Sequence, residues 1–262
     1  MKYCLTDLDK PERLESLAGQ VFIYTHRSPS RETENEDCLA VILTGDDCGI
    51  LAVADGLGGL PSGSSASKIS IDTLENKVTH KNEGVQLREI ILDAFEKANS
   101  TILEKGSGSA TTLAVAELQG DEIRTYHVGD SKIIVCGQRG KIKINTVSHS
   151  PVEYAVEAGM LDENEAVLHD ERHLVSNVVG AHDMSITLGS TVKLSRYDTL
   201  LVASDGLFDN LYMEEITEII RKGSLEIAAN NLAQAARKRM LSAESELPAH
   251  PDDLTFILYR RA

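Results

Sequence analysis

Short apolar runs, rich in β-branched residues and bounded by Gly, Asp or Asn, recur along much of the chain. Runs of this length with such ends are typical of β-strands. We expect these strands to pair with one another in antiparallel ladders. The pattern predicts strands at 21–25, 39–43, 50–53, 112–118, 123–128, 132–136, 199–203 and 254–259.

Other segments carry apolar residues at the intervals of a helix. Between residues 87 and 103, the apolar positions that share one helical face are Leu87, Ile90, Ile91, Ala94, Ala98 and Ile102. The pattern predicts helices at 64–78, 87–103, 152–158, 213–221 and 225–241. We expect the first two helices to lie on one sheet. The segment 150–182 is less regular, and we expect it to form a mobile flap.

The size and charge of the chain limit the number of domains and the kinds of partner that we expect. With 262 residues, of which 42% are hydrophobic and 26% charged, the chain can bury a full core, and we expect a single domain. Its formal net charge of −15 would repel the phosphate backbone of a nucleic acid. We therefore expect no nucleic-acid partner.

Cysteine usage and hydropathy bear on the environment of the protein. The four cysteines, Cys4, Cys38, Cys48 and Cys136, form no CxxC pair and no dense cluster. This spacing indicates neither a disulfide framework nor a thiolate zinc site, so we expect a reduced, cytoplasmic environment. No apolar segment approaches the roughly 20 residues that span a bilayer, and residues 1–20 are too acidic for a signal peptide. We expect no membrane association.

Acidic residues stand beside glycine or another acid at the ends of the apolar runs. The motifs are NED at 35–37, DGLGG at 55–59, GDS at 129–131, SDG at 204–206 and PDD at 251–253. Carboxylates at strand ends, with glycines that let backbone carbonyls approach, suit hard divalent cations, because these prefer oxygen ligands. The motifs therefore predict a cluster that binds Mg, Mn or a similar ion.

Each motif also has a purely structural interpretation. The glycine-rich stretch at 55–59 fits a strand-to-helix turn with one solvated Asp, and it matches neither a Walker loop nor a dinucleotide fingerprint. The pair Gly129-Asp130 suits the tight turn of a hairpin between two adjacent strands. The sequence GSGSATT at 106–112 fits a flexible loop that enters a strand. His169 and His173 lack the adjacent acid of a zinc HExxH motif, so we interpret them as solvated flap residues.

Taken in order, these motifs resemble the metal-dependent protein serine/threonine phosphatases of the PPM, or type 2C, family in its bacterial form. The resemblance covers residues 21–260, nearly the whole chain. Several modest matches in the correct order make it specific. The matching residues are Arg31, Asn35-Glu36-Asp37 and those at 55–59, 110–112, 129–132, 204–209 and 252–255.

The resemblance implies an α+β fold, a four-layer α-β-β-α sandwich of two antiparallel sheets flanked by helices. It also implies one catalytic domain at 21–262, preceded by an N-terminal extension at 1–20 that has no assigned counterpart in the family. The implied reaction is hydrolysis of phosphoserine and phosphothreonine on proteins by a metal-bridged hydroxide. A pair of Mg or Mn ions neutralises the phosphoryl oxygens and lowers the pKa of a bridging water.

The roles of the metal ligands carry over from the family to matching positions. Asp55 would bridge the two ions, and Asp205 and Asp252 would complete the shell of the first. Glu36 and the carbonyl oxygen of Gly56 would serve the second ion.

Three more residues receive implied roles near these ligands. Asp37 would hold coordinated waters. Asp130, together with Asp205, matches the position of a third, weaker metal. Arg31 would clamp the substrate phosphate with two hydrogen bonds, because the guanidinium geometry favours this.

Some positions depart from the family pattern. Three residues rather than two separate Arg31 from Asn35, so either a bulge absorbs one residue or another arginine binds the phosphate. Leu57 stands where animal relatives have a histidine, and it cannot transfer a proton. Asp253 stands where the family has asparagine, so either Asp252 or Asp253 is the ligand. Successive strand side chains point to opposite faces, so only one of them can face the metal, and the alignment favours Asp252.

The resemblance also implies the partners. We expect these to be phosphorylated proteins, namely a serine/threonine kinase and its substrates, and we expect the chain to be a monomer. An alternative is an inactive pseudophosphatase that binds phosphoproteins or regulators, although a decayed member should have lost its acidic ligands first. A phosphatase of small anti-sigma-antagonist domains would share the same chemistry and differ only in its partner.

Overall fold

The computed structural model describes residues 1–14, 18–30, 32–57, 63–81, 84–242 and 247–261. In this part of the chain, two large antiparallel sheets face each other, with strands numbered here in chain order. The first sheet has the order β1 (Lys2–Cys4), β4 (Cys38–Leu43), β5 (Cys48–Ala54), β8 (Leu113–Gln119), β9 (Glu122–Val128) and β12 (Thr187–Leu188), and β13 (Val192–Lys193) also pairs with β9.

The second sheet has the order β11 (Ile142–Asn145), β10 (Lys132–Cys136), β14 (Thr199–Ala203), β15 (Leu254–Arg261), β3 (Gly19–His26) and β2 (Glu12–Leu14). A short separate pair joins β6 (Gly56–Leu57) to β7 (Ala110–Thr111). The helices of the described residues are α1 (Gly63–Thr79), α2 (Leu87–Lys105), α3 (Pro151–Glu157), α4 (Glu163–Ala166), α5 (Asp205–Phe208), α6 (Met213–Ile220) and α7 (Leu225–Met240).

The central strands are apolar on both faces because both faces are covered. In β5, Leu51 and Val53 lie in the core between the two sheets, whereas Ile50, Ala52 and Ala54 lie in the core beneath α1 and α2. Successive side chains of a strand point to opposite faces, so alternate residues enter different cores. All five of these side chains are fully buried.

Helices cover the outer faces of the two sheets. α1 packs on β4 and β5 of the first sheet and against α2, while α7 packs on β3 and β15 of the second sheet. The predicted α+β sandwich of four layers is therefore confirmed, as is the location of the first two helices on one sheet. None of the helices in the described ranges is long and apolar enough to cross a membrane.

The predicted extension at 1–20 contributes edge strands to both sheets. β1 pairs with β4 in the first sheet, and β2 pairs with β3 in the second. The N-terminal amino group of Met1 donates to the carbonyl oxygen of Val41 at 2.8 Å. The sequence pattern missed these two strands, because each spans three residues and is held by its neighbour rather than by an apolar run of its own.

The spacing of the cysteines indicated no disulfide framework, but the structure contains a disulfide. Cys4 and Cys38 stand directly opposite each other in the register of β1 and β4, and they are joined as a disulfide. Cys48 and Cys136 are free. The spacing of the cysteines along the chain does not reveal such a pairing, because strand register brings together residues that are 34 positions apart.

The hairpin interpretation of Gly129-Asp130 is also wrong. β9 pairs within the first sheet and β10 within the second, so the residues between them cross from one sheet to the other. Gly129 has a φ of 101°, and a Cβ atom there would lie 2.6 Å from the side chain of Thr112. A glycine is therefore needed at this crossing both for its backbone angle and for its close contact.

Candidate metal centre

The acids singled out in the sequence meet at one end of the two sheets. Antiparallel pairing brings the ends of some strands beside the starts of their neighbours. The acids precede β4 and β15, follow β5 and β14, and lie in the crossing between β9 and β10. Asp37 precedes β4, and Asp252 and Asp253 precede β15. Asp55 follows β5, Asp205 follows β14, and Asp130 lies in the crossing.

Three of the aspartates in this cluster have a carboxylate oxygen with no hydrogen-bond partner in the part of the chain that the structure describes. One oxygen each of Asp37, Asp130 and Asp205 is buried and unpartnered within the described residues. The other oxygen of Asp37 accepts a hydrogen bond of 2.8 Å from the Ser204 hydroxyl. Buried polar atoms are normally satisfied, so an unpartnered carboxylate oxygen indicates a place for a group that supplies positive charge.

Burial and the repulsion between neighbouring carboxylates raise the pKa values of the acids in this cluster. Burial raises the pKa of Asp55 well above its ordinary value, and the charges of Asp37 and Asp205 raise it further. Burial likewise raises the pKa of Asp130 to about 7, with repulsion from Asp209 adding to the effect. The carboxyl groups of Asp55 and Asp205 lie within hydrogen-bonding reach of each other. Either protons or cations must neutralise such a cluster.

The donor set fits hard divalent cations. All the converging side-chain donors are carboxylate oxygens, which Mg and Mn prefer. Among the described residues, no three His, Cys, Asp or Glu side chains converge closely enough to enclose an ion by themselves. Water would therefore complete each shell, as is common for Mg, which keeps several of its waters when it binds to proteins.

The Asp55-Gly56 segment is held tightly against the start of α1. A Cβ atom on Gly56 would overlap the backbone of Gly63, and one on Gly63 would lie 2.5 Å from a carboxylate oxygen of Glu36. The two glycines therefore allow the Glu36 carboxylate to approach this segment. Arg31 and the residues at 58–59 lie outside the described residues, so the prediction for Arg31 stays a prediction.

Two threonines fix the backbone of Asp55. The Thr112 hydroxyl accepts a hydrogen bond of 3.0 Å from the Asp55 N–H, and the Thr111 hydroxyl donates one of 2.7 Å to the Asp55 carbonyl. Thr112 also shares a hydrogen bond of 2.7 Å with the Ser131 hydroxyl in the crossing between the sheets. The interpretation of 106–112 as a flexible loop missed this role, although Thr111-Thr112 was part of the family resemblance.

The structure distinguishes the two terminal acids. The two carboxylate oxygens of Asp253 accept hydrogen bonds from the backbone N–H groups of Ser28 at 2.7 Å and Glu36 at 2.6 Å. Asp252 accepts one from the Asp253 N–H at 2.9 Å, and its second oxygen lies 3.9 Å from Nδ1 of His250. Asp253 is therefore committed to the backbone, which favours Asp252 as the ligand.

Another acid of the cluster received no role from the sequence. Asp209 is partly buried and accepts a hydrogen bond of 2.9 Å from Nε of Arg172, which lies in the predicted flap. Burial raises the pKa of Asp209, whereas the charge of Arg172 lowers it. Asp209 is the second acid of the SDGLFD motif at 204–209, and this position in the motif could have pointed to it. Its partner Arg172 could not be found from the sequence, because it lies 37 positions away in the chain.

Comparisons with known proteins agree with this geometry. Residues 26–243 match a family model described as Protein phosphatase 2C. The chain is 28% identical over 201 residues to the protein phosphatase PhpP of Streptococcus pneumoniae, a match that covers 72% of this chain and 80% of PhpP.

Solved structures share the fold. The serine/threonine phosphatase Stp1 of Staphylococcus aureus matches with a TM-score of 0.80 and 26% identity, covering 95% of this chain and 98% of Stp1. The catalytic domain of the serine threonine protein phosphatase PstP, solved in complex with two manganese ions, matches with a TM-score of 0.73 and 24% identity. That match covers 92% of this chain and 96% of the PstP chain, and it bears on the fold alone.

Proposed function

The chain belongs to the protein phosphatase 2C family, and we propose that it hydrolyses phosphoserine and phosphothreonine on proteins with the help of two Mg or Mn ions. The observation that carries this proposal is the buried carboxylate cluster, in which oxygens of Asp37, Asp130 and Asp205 lack partners among the described residues. A cluster that is so strongly self-repelling, with raised pKa values, is built to be neutralised by cations.

The proposed ligands are those that the family resemblance implies. Asp55 would serve both ions, Asp205 and Asp252 would help to hold the first, and Glu36 with the carbonyl oxygen of Gly56 would help to hold the second. When bound, the ions would supply positive charge to the phosphoryl oxygens and lower the pKa of a water.

Two further acids take supporting places in the proposal. Asp37 would hold waters, and Asp130 with Asp205 would hold a third ion. Ser204 donates to Asp37 and would fix the orientation of its carboxylate. The manganese ions of the PstP structure belong to that protein, whose likeness to this chain bears on the fold alone.

The chain's own groups would hold these ligands rigidly. Thr111 and Thr112 fix the backbone on either side of Asp55, and Asp253 fixes the backbone N–H of Glu36. Such preorganisation matters because a displacement of about 1 Å in a catalytic group can cost roughly a hundredfold in rate. We further propose that the protein acts as a monomer, on a serine/threonine kinase and its substrates.

The test is phosphate release from a phosphothreonine peptide. We expect turnover with Mg or Mn and none after a chelator removes the metal. The substitution Asp55→Asn should reduce turnover to the metal-free background while the protein stays folded, whereas Asp46→Asn, at an exposed aspartate, should leave it unchanged. Activity that survives complete metal removal, or near-normal turnover in Asp55→Asn, would contradict the proposal.

A further inference from the structure

The segment from 151 to 174 is strongly acidic and lies beside the metal centre. It contains seven acidic residues and one arginine, a net charge of −6 out of the −15 of the whole chain. It also exposes large apolar side chains, with Met160 81%, Leu168 48% and Tyr154 46% exposed. We call this segment, which includes α3 and α4, the acidic flap.

A cavity of about 110 Å³ separates the acidic flap from α5 and α6. Its apolar lining includes Val152, Ala166 and Leu211, and its polar lining includes Asp130 and Asp205 of the candidate metal centre. Asp130 is only 8% exposed, and one of its oxygens has no partner among the described residues. The cavity therefore connects the metal centre with the flap surface.

The basic groups that line this cavity are already neutralised. Lys132 forms two contacts of 2.9 Å with the carboxylate of Glu153, and Arg172 pairs with Asp209 at 2.9 Å. In contrast, Glu157 and Glu163 line the same cavity, are exposed and have no ion-pair partner among the described residues. The rim of the cavity therefore carries uncompensated negative charge.

We propose that the acidic flap and this cavity are the docking surface for the phosphoprotein substrate, and that they select phosphorylated segments with Lys or Arg beside the phosphorylated residue and an apolar side chain that enters the cavity. This inference rests on the proposed function. Charge complementarity identifies the occupant: a phosphorylated residue without basic neighbours brings only negative charge to a negative rim. Basic neighbours pair with Glu157 and Glu163 and remove that repulsion.

The experiment compares the activity of the unmodified protein on three substrates. These are a phosphothreonine peptide flanked by arginines and one apolar residue, the same peptide with glutamates in place of the arginines, and para-nitrophenyl phosphate, which has no flanking residues. We expect kcat/KM for the arginine peptide to exceed that for the glutamate peptide about tenfold at low salt, as a few partly exposed ion pairs would produce. Screening by salt should shrink the difference.

A pair of matched variants tests the residues. In the double variant Glu157→Lys and Glu163→Lys, the preference for the arginine peptide over the glutamate peptide should fall to about twofold or less, because the rim loses the charges that pair with arginine. Turnover of para-nitrophenyl phosphate should stay unchanged. The control Glu96→Lys with Glu104→Lys makes the same change of charge at exposed positions of α2 and should keep the preference. Circular dichroism and a urea unfolding curve would show that each variant is folded.

The outcomes separate the two proposals. Hydrolysis of para-nitrophenyl phosphate together with equal rates on the two peptides would overturn the docking surface and leave the phosphatase activity standing. Equal loss of preference in the control variant would also overturn it, because the effect would then come from the net charge rather than from the flap. Failure to hydrolyse any of the three substrates with Mn would remove the proposed function and the docking surface with it.

Discussion

Replacing Asp130 by asparagine should stabilise the protein in the absence of metal. Asp130 is buried, and one of its carboxylate oxygens has no partner among the described residues. Burial and repulsion from Asp209 raise its pKa from 3.8 to about 7. Asparagine has nearly the same shape and carries no charge, so the variant avoids the cost of an ionised group at this position.

The expected magnitude follows from the shift in pKa. A difference of about 3 between the pKa of Asp130 in the folded state and in the unfolded state corresponds to roughly 4 kcal/mol of lost stability when the group is fully ionised. The folded state binds the proton of Asp130 more tightly than the unfolded state does. The free energy of unfolding of the unmodified protein should therefore fall as the pH rises from about 4 to about 7. At pH 8 the gain from Asp130→Asn should approach 4 kcal/mol as an upper limit, and near pH 4 it should almost vanish.

Urea unfolding in the presence of a chelator measures this difference. The chain has no tryptophan and seven tyrosines, so far-ultraviolet circular dichroism is the better signal. Asp46→Asn, at an exposed aspartate, is the matched control and should change the free energy of unfolding by less than about 0.5 kcal/mol. If the proposed metal site is correct, excess Mn should shrink or reverse the gain, because ion binding would stabilise the native state and the variant lacks one carboxylate. A variant no more stable than the unmodified protein at pH 8 without metal would refute the reasoning.

The other predictions concern the two terminal acids, Gly206 and the disulfide. Asp253→Ala should lower the free energy of unfolding by about 2 to 5 kcal/mol, because one buried and one partly buried backbone N–H group lose a charged acceptor. Asp252→Ala should instead raise the Mn concentration needed for half-maximal activity, and the reverse ranking in the two assays would exchange their roles. Gly206→Ala should cost about 1 to 3 kcal/mol in urea unfolding, because its Cβ would overlap the carbonyl oxygen of Asp253. Thiol titration of the denatured protein should count two thiols, from Cys48 and Cys136, before reduction and four afterwards, and four at the outset would exclude the disulfide.

The sequence predicts the interior of this fold well because the long central strands carry their own signal. β5 is apolar at every position from Gly49 to Ala54 apart from its glycine, since one face meets the second sheet and the other meets α1 and α2. The short edge strands β1, β2, β12 and β13 span two or three residues each, and their partners rather than their composition decide that they are strands. No local pattern could reveal them.

The acids of the site could be found from the sequence because they stand at the ends of strong strands. Their individual roles could not, because neighbouring acids in one motif have the same chemistry until their contacts are known. Asp252 and Asp253 are adjacent in the chain, yet Asp253 accepts hydrogen bonds from residues more than 200 positions away. Such long-range contacts depend on the packing of β15 beside β3, which no pattern within 251–255 encodes.

Asp130 shows why local turn chemistry can mislead. Glycine followed by aspartate suits a hairpin turn, and here the same pair lies in a crossing between two sheets, where Gly129 has a φ of 101°. The two cases differ in what surrounds the carboxylate. At a hairpin tip the side chain would face water, whereas here it is 92% shielded and faces Asp209 and the cavity beneath the acidic flap. A charge kept in such a place weakens the metal-free fold, and the cation that we propose for this position would remove that cost.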